Sequence, residues 1–404
     1  MCSSDLYRAE VLSALERLTG HRFKPESKVW MEWWKFYEKI QKKKDEAAKE
    51  KKTTKQESRR DKDETVKFFG GSGESEESVE LGLHWLSRYM FPQGMWDPQN
   101  FDKLGSFSGD VKAMDNAEVG ISGLAVLALA TAGYTHLTGK YMDVMDRALD
   151  WLLAAQTAAG VWRPVERSAY GDCESYEHAI ATTALLEIYS LSLDEKLKQP
   201  CQAAVNHIAA YQNILKGWRY TFLMPDDTDS SVTGWYVLAL KSAKVYGFRV
   251  FEKAFEGALR WYDSVSQKIG EYETPDLRET KYFDNYIQDI YQKCGSGYDD
   301  AQPLAAMTAI SLITHRFIGY KRTHPLMRAY ANYLKDWKVN FNQATGARNL
   351  NFAFYFIYYT TLANFQMGAD YWSDWNKQLV EKVRSVQEMD PTNEIGRASC
   401  RERV

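Results

Sequence analysis

The sequence predicts an all-α protein built from helical repeats, and three observations support this fold class. Helical stretches recur about every 50 to 70 residues from Ser78 to about Gln387, which is the self-similarity typical of a repeat architecture. The stretches alternate between an amphipathic type and an apolar type rich in small residues. The amphipathic stretches end in a turn that carries Gly and an aromatic residue. We therefore expect two layers of helices, with the apolar type inside.

The turn after each amphipathic helix carries a Gln/Gly/Trp tag. Its cleanest copy has Gln156, Gly160 and Trp162, and a second copy ends in Gly217 and Trp218. Weaker copies span residues 82–96 and 257–272. Gly suits the left-handed backbone that ends a helix, Gln is able to bind freed backbone groups, and Trp covers the turn. We predict a structural role for these residues.

The apolar stretches are the predicted inner helices. They are expected at Ala117–Gly133, Tyr176–Ser190, Ser231–Gly247, Ala301–Ile318 and Asn351–Gly368. Acidic residues precede or begin most of them, where the helix dipole favours negative charge. If the inner helices run parallel, these acids gather at one mouth of the structure.

Several segments resemble a known protein family. They are the repeated tag, Tyr176–Thr182, Ser231–Trp235 and the W-x-x-W-N segment at Trp372–Asn376. Together with Gly217–Tyr220 they resemble bacterial prenyltransferase and squalene oxidase repeat proteins, which are similar to squalene cyclases. The resemblance covers about three quarters of the chain. It implies an α/α toroid of paired inner and outer helices around a central cavity.

The chain divides into five segments by composition. Residues 78–390 form the predicted toroid, residues 41–77 are a charged linker with too few apolar residues to order themselves, and residues 7–40 are a helical hairpin that resembles the end of a HEAT-type array. Residues 1–6 and 395–404 match translated sequencing adapters, so we expect the natural protein to continue beyond both ends.

Composition and charge exclude several functional classes. The net charge of −3 lacks the basic excess that binding to nucleic acid phosphates requires. The longest apolar runs are too short to span a membrane. Cys173, Cys201 and Cys294, the three cysteines outside the adapter-like ends, have no spacing typical of a zinc site. We expect no metal and no cofactor.

Asp229 is the candidate catalytic acid. In the family that the chain resembles, an Asp within a D-x-D-D-T-A segment protonates an isoprenoid substrate, and two registers place the segment here. If the acidic residues are aligned, Asp229 is the proton donor. If the helix that follows is aligned instead, Ser231 occupies the donor position and the segment lacks the catalytic acid. We prefer the second register, in which Asp229 is the N-cap of the helix.

Other residues are candidates for a cavity or its mouth. Acidic candidates at the mouth offer carboxylates for a carbohydrate-active (α/α) barrel, whose chemistry needs two of them at a defined separation, although nothing in the sequence selects a pair. Aromatic side chains near the last inner helix have the density needed to line a cavity. The candidates are His178, Glu174, Asp227, Ser231, Trp235, Asp299, Asp300, Tyr355 and Tyr359.

The functional expectation follows from the family resemblance. We expect a non-catalytic toroid module that binds an apolar, isoprenoid-like ligand or a protein partner in its central cavity. An isoprenoid cyclase that uses Asp229 is the first alternative. A carbohydrate-active (α/α)-barrel enzyme is the second.

Overall fold

A computed structural model gives the fold of the chain. It describes residues 66–67, 70–104, 117–162, 174–213, 216–222, 227–269, 293–300, 302–341, 353–389 and 396–398. The predicted hairpin at 7–40, most of the linker, Cys173 and the N-terminal adapter-like segment lie outside the described residues. Within these ranges the chain is an all-α toroid, as the sequence predicts.

The inner layer consists of five helices in the described residues. They are α2 (Glu118–Thr131), α4 (Glu174–Ser192), α6 (Ser230–Val245), α8 (Ala305–Ile318) and α10 (Ala353–Met367). Each packs on the next in chain order. Helices α4, α6 and α8 are buried along most of their surface, because their small and apolar residues let neighbouring backbones approach closely.

The outer layer consists of six helices in the described residues. They are α1 (Gly73–Arg88), α3 (Met142–Ala155), α5 (Lys198–Ala210), α7 (Lys253–Ser264), α9 (Pro325–Leu334) and α11 (Ala369–Val386). Each buries one apolar stripe against inner helices and exposes its polar face, which is the pattern of an amphipathic surface helix. Short 3₁₀ helices lie at Phe101–Leu104 and Glu195–Leu197.

The Trp of each tag binds the end of the outer helix that precedes it. Trp96, Trp162 and Trp218 donate their indole N–H groups to backbone carbonyls ten residues earlier, at 2.9, 2.8 and 2.9 Å. These carbonyls lie near a helix C-terminus, where intrahelical N–H donors run out. The carbonyl of Leu152 also accepts from the N–H of Gln156 at 3.1 Å. The indole ring thus covers the end of the outer helix and packs between the two helix layers.

Gly160 shows why the tag needs a glycine. Its φ of +81° is a left-handed conformation, and an added Cβ would lie 2.5 Å from the backbone carbon of Ala203 on α5. The next outer helix therefore approaches the turn so closely that no side chain fits.

The Gln of the tag joins neighbouring outer helices. Gln156, after α3, donates to the carbonyl of Pro200 on α5, and Gln212, after α5, donates to that of Ala254 on α7. Gln387, after α11, donates to the carbonyl of Ser78 on α1 at 2.9 Å. The last outer helix is thereby joined to the first, which closes the outer ring.

Two short antiparallel ribbons complete the described structure. β1 (Ser266–Ile269) pairs with β2 (Lys293–Ser296), ahead of α8. β3 (Gln387–Met389) pairs with β4 (Gly396–Ala398) beside α1. β4 falls within the segment that matches an adapter, and the origin of that segment stays a prediction. No helix in the described ranges is long and apolar enough to cross a membrane.

Candidate functional site

Backbone and side-chain contacts join the N-terminal ends of the inner helices at one mouth. Glu177 on α4 accepts a hydrogen bond from the backbone N–H of Gly120 on α2, at 2.8 Å. The N–H of Ser230, at the start of α6, donates to the carbonyl of Tyr298, which precedes α8. These contacts join α2 to α4 and α6 to α8 at the end of the toroid where the inner helices begin.

Asp229 is the N-cap of α6 and is fully buried. Its carboxylate accepts hydrogen bonds from the N–H of Val232 at 2.8 Å, from the hydroxyl of Ser231, and from the hydroxyl of Tyr220 at 3.3 Å. Burial raises the pKa of Asp229 to about 6, against the lowering effect of Ser231, Val232 and Arg219. A carboxyl group with this pKa carries a proton in mildly acidic solution.

The segment from Tyr220 to Phe222 links Asp229 to a second carboxylate. The hydroxyl of Tyr220 binds Asp229, the carbonyl of Tyr220 accepts from the N–H of Ser175, and the N–H of Phe222 donates to Glu174 at 3.3 Å. Glu174 is the first residue of α4 and is partly exposed. One short segment thus holds a buried and an accessible carboxylate at the same mouth.

Three other predicted acids lie on the exterior of the mouth. Asp227 is exposed and forms an ion pair with Arg219 at 3.3 Å. Asp299 and Asp300 are exposed, and Asp300 accepts a hydrogen bond from the N–H of Gln302.

The centre of the toroid behind the mouth is filled by aromatic side chains. Trp235 on α6 stacks on Tyr358 of α10 at 5.6 Å and meets Tyr359 edge to face at 5.6 Å. Tyr359 in turn lies 4.9 Å from Tyr355, and the hydroxyl of Tyr176 on α4 binds that of Ser231. These predicted cavity residues pack on one another across the ring.

His178 packs between α4 and α5. It is fully buried, its Nε2 lies 3.1 Å from the carbonyl of Ala204, and its ring contacts Trp162 and His207. Burial and the neighbouring His207 lower the pKa of His178 to about 3, so its imidazole is neutral. No group of three His, Cys, Asp or Glu residues suited to a metal occurs in the part of the chain that the structure describes.

The sequence gives little indication of two residues that matter at the mouth. Glu177 is buried, and burial raises its pKa to about 8. Tyr220 is notable only as part of the G-W-R-Y segment. Their roles depend on contacts with residues 57 and 9 positions away, with Gly120 and Asp229. The spacing of apolar residues within one helix carries no information about such contacts between distant residues.

Comparisons with known proteins concern the fold. No protein-family model matches the sequence, and no curated protein sequence matches it. The solved structures that are similar to the chain include two inactive variants of the alpha-1,6-mannanase GH76A of Salegentibacter sp. HEL1_6, one in complex with alpha-1,6-mannotetrose and one with alpha-1,6-mannotriose. The sequence identities are 11% and 10%. In each case the TM-score is 0.49, and the match covers 79% of this chain and 90% of the other.

The family expectation is corrected by this comparison. The similar structures are mannanases, and the assignment to squalene-cyclase-like prenyltransferase repeat proteins is wrong. The physical reason lies in the tag. Gln156, Gly160 and Trp162 close a helix end and fit one outer helix against the next. A toroid of paired helices needs such contacts whatever it binds, so the tag indicates the fold rather than the family.

The functional expectations that depended on that family are also corrected. The matched structures are of an enzyme bound to oligosaccharides, so neither a non-catalytic module for an apolar ligand nor an isoprenoid cyclase is retained. The structure supplies physical reasons as well. Trp235 and Tyr359 occupy the centre where an apolar ligand was expected. Asp229 caps α6 through a backbone N–H donor and a hydroxyl donor.

Proposed function

We propose that the chain is a carbohydrate-active α/α-toroid enzyme that hydrolyses a glycosidic bond at the mouth. The observation that carries this proposal is the linked pair of carboxylates, Asp229 and Glu174, one buried with a raised pKa and the other accessible. Glycosidases use two carboxyl groups in unequal environments, one as the acid and the other as the base or nucleophile.

Tyr220 connects the buried acid to the substrate. Asp229 is fully buried, so its proton reaches the sugar through the Tyr220 hydroxyl, which is bound to the carboxylate and belongs to a partly exposed residue. Asp229 gives its proton to the Tyr220 oxygen while Tyr220 gives its own proton to the glycosidic oxygen. The bond between that oxygen and the anomeric carbon then breaks.

Glu174 acts on the attacking water in this mechanism. Its carboxylate takes one proton from the water, and the remaining hydroxide adds to the anomeric carbon. Each catalytic cycle therefore consumes one water molecule and releases a sugar with a new reducing end. Asp229 and Glu174 return to their starting states by exchanging protons with solvent.

Polar side chains beside Tyr220 are suited to a hydroxyl-rich substrate such as a sugar. Tyr220 and Tyr176 lie 5.9 Å apart, and the guanidinium of Arg219 lies 4.7 Å from the Tyr220 ring. Arg219 and Asp227, which are partly exposed and exposed, offer hydrogen bonds to the hydroxyl groups of a sugar.

The proposal is tested by incubating the chain with soluble α- and β-linked glucans, mannans, xylans and galactans and measuring reducing ends. We expect release from at least one class, lowered about a hundredfold or more by Glu174→Gln. Asp299→Asn is the matched control, because it removes an exposed carboxylate from the same rim. Release that Glu174→Gln leaves unchanged would refute the proposed site, and no release from any class would refute the function.

A further inference from the structure

The two carboxylate oxygens of Asp229 have different hydrogen-bond partners. Oδ1 accepts from the backbone N–H of Val232 at 2.8 Å and from the hydroxyl of Ser231 at 2.5 Å. Oδ2 lies 3.3 Å from the hydroxyl of Tyr220. When the carboxyl group is neutral, one of its two oxygens carries the proton. The proposed reaction requires that proton on Oδ2, because only this oxygen lies next to the Tyr220 hydroxyl through which the proton leaves.

A second hydroxyl group is bound to that of Ser231. It belongs to Tyr176 on α4, and among the described residues it has no other hydrogen-bond partner. Ser231 is 2% exposed, so its hydroxyl is out of contact with bulk solvent. Burial raises the pKa of Tyr176 well above its ordinary value, so the phenol keeps its proton at neutral pH. We call the hydroxyl groups of Ser231 and Tyr176 the hydroxyl pair.

The number of protons in the hydroxyl pair fixes the direction of its hydrogen bonds. Each hydroxyl group has one proton to donate, and an ionised carboxylate only accepts. Ser231 must therefore donate to Oδ1 of Asp229, and Tyr176 must donate to Ser231. If the acid proton moved to Oδ1, both bonds would have to reverse, and the Tyr176 proton would have no acceptor among the described residues. The N–H of Val232 is a fixed donor and also favours an unprotonated Oδ1.

The other titratable groups near this carboxyl group leave the difference between its oxygens in place. The positive charge of Arg219 lowers the pKa of Asp229, which acts on the carboxyl group as a whole. Burial raises the pKa of Tyr262 on α7 and of Tyr355 on α10 well above the ordinary value, so both phenols stay neutral. The hydroxyl of Tyr262 donates to the carbonyl of Ser230 at 2.6 Å rather than to the carboxylate. Tyr298 lies beside Tyr176 and is likewise uncharged as a phenol.

We propose that Ser231 and Tyr176 are positioning residues that hold the acid proton of Asp229 on the oxygen next to Tyr220. This inference rests on the proposed function, which uses Asp229 and Tyr220 and gives the hydroxyl pair no role. Because the pair keeps Oδ1 as an acceptor, the O–H bond of the neutral acid is on Oδ2 and is aimed at the Tyr220 oxygen. Once the proton has passed to Tyr220, the same donors stabilise the carboxylate that remains.

Infrared spectroscopy tests the proposal without a substrate. The C=O stretching band of protonated Asp229 is isolated by subtracting the spectrum of the same protein with Asp229→Asn, and its loss with rising pH gives the pKa of the carboxyl group. In Ser231→Ala we expect the band at higher frequency, because Oδ1 as the carbonyl oxygen loses a donor. We expect the titration midpoint to rise by about one pH unit, because that donor favours the ionised form. Tyr176→Phe should change both quantities in the same direction by less, because it weakens the donor without removing it.

Rates on a glycan that the parent chain hydrolyses provide the second measurement. Ser231→Ala should lower kcat at about pH 5 by about tenfold and leave KM unchanged, because the acid is weaker and its proton less well placed. The decline of kcat/KM with rising pH should begin about one pH unit higher than in the parent. Tyr262→Phe is the matched control, because it removes a buried hydroxyl at the same helix start. It should lower the thermal stability and leave the infrared band and the pH profile unchanged.

Three results would overturn the proposal. The first is a titration midpoint within about 0.3 pH unit of the parent in both Ser231→Ala and Tyr176→Phe. The second is a C=O band that stays in place or moves to lower frequency, and the third is a raised KM with unchanged kcat. Because the infrared measurement uses no glycan, a raised midpoint and frequency support the role of the hydroxyl pair even if no glycan is hydrolysed. An unchanged midpoint overturns it even if hydrolysis is found.

Discussion

Replacing Asp229 with Asn is expected to lower kcat/KM for glycan hydrolysis about a thousandfold while the toroid stays folded. Asn and Asp cap helices equally well, and the amide oxygen is able to accept from the N–H of Val232 as the carboxylate does. The free energy of unfolding should therefore fall by no more than about 0.5 kcal/mol. Initial rates and urea denaturation of the same preparation measure both quantities.

Tyr220→Phe provides the matched variant for this result. It keeps the aromatic ring beside Arg219 and removes only the hydroxyl that binds Asp229. If the proton passes through Tyr220, the two variants should lose similar activity, and the double variant should be no worse than either alone. An Asp229→Asn protein that is folded and fully active would show that Asp229 is a helix cap without a catalytic role.

Trp218→Ala is expected to destabilise the toroid by about 3 to 5 kcal/mol, because truncation leaves a large cavity in a close-packed layer. Trp218 is 1% exposed, donates to the carbonyl of Ile208, and lies 5.1 Å from the ring of Tyr236. Its backbone N–H also binds the hydroxyl of Thr233 on α6. Equilibrium urea unfolding measures the loss.

Two further variants separate the contributions of Trp218. Trp218→Phe keeps most of the volume but removes the indole donor, and should cost less than Trp218→Ala. Phe251→Ala truncates an aromatic residue that is 53% exposed and should change stability by less than about 0.5 kcal/mol. A Trp218→Ala protein within about 1 kcal/mol of the parent would contradict the role of the tag in fixing the layers.

The helices were predictable because their signals are local. Apolar runs and small residues predicted all five inner helices close to their observed bounds, for example Tyr176–Ser190 for α4 at Glu174–Ser192. Asp immediately before an apolar run likewise indicated the N-cap at Asp229. These features depend on residues within one or two helical turns, which is the range over which sequence periodicity is informative.

The contents of the centre and the pairing of carboxylates were not predictable. Aromatic density on α10 is compatible with a lined cavity or a filled one, and the contacts of Trp235 with Tyr358 and Tyr359 decide between them. The sequence offered several acids at the mouth but selected no pair. Glu174 and Asp229 are distinguished by their shared contact with the segment from Tyr220, which is a tertiary feature.

The family assignment failed for a physical reason. A helix end that needs its carbonyls bound, a turn that needs a left-handed glycine, and a layer that needs a large flat ring make the same demands in different α/α toroids. Gly160 and Trp162 meet those demands with atoms that are buried against neighbouring helices. Residues that satisfy the fold therefore carry little information about the reaction.

The pH dependence of kcat/KM tests the central claim most directly, because a helix cap and a proton source predict different profiles. Burial raises the pKa of Asp229 to about 6, and an acid must be protonated to act. We therefore expect kcat/KM to fall about tenfold per pH unit above about pH 6, and Asp229→Asn to lack this fall. A rate that stays constant from about pH 5 to 8 in the parent chain would contradict the assignment of Asp229 as the source of the proton.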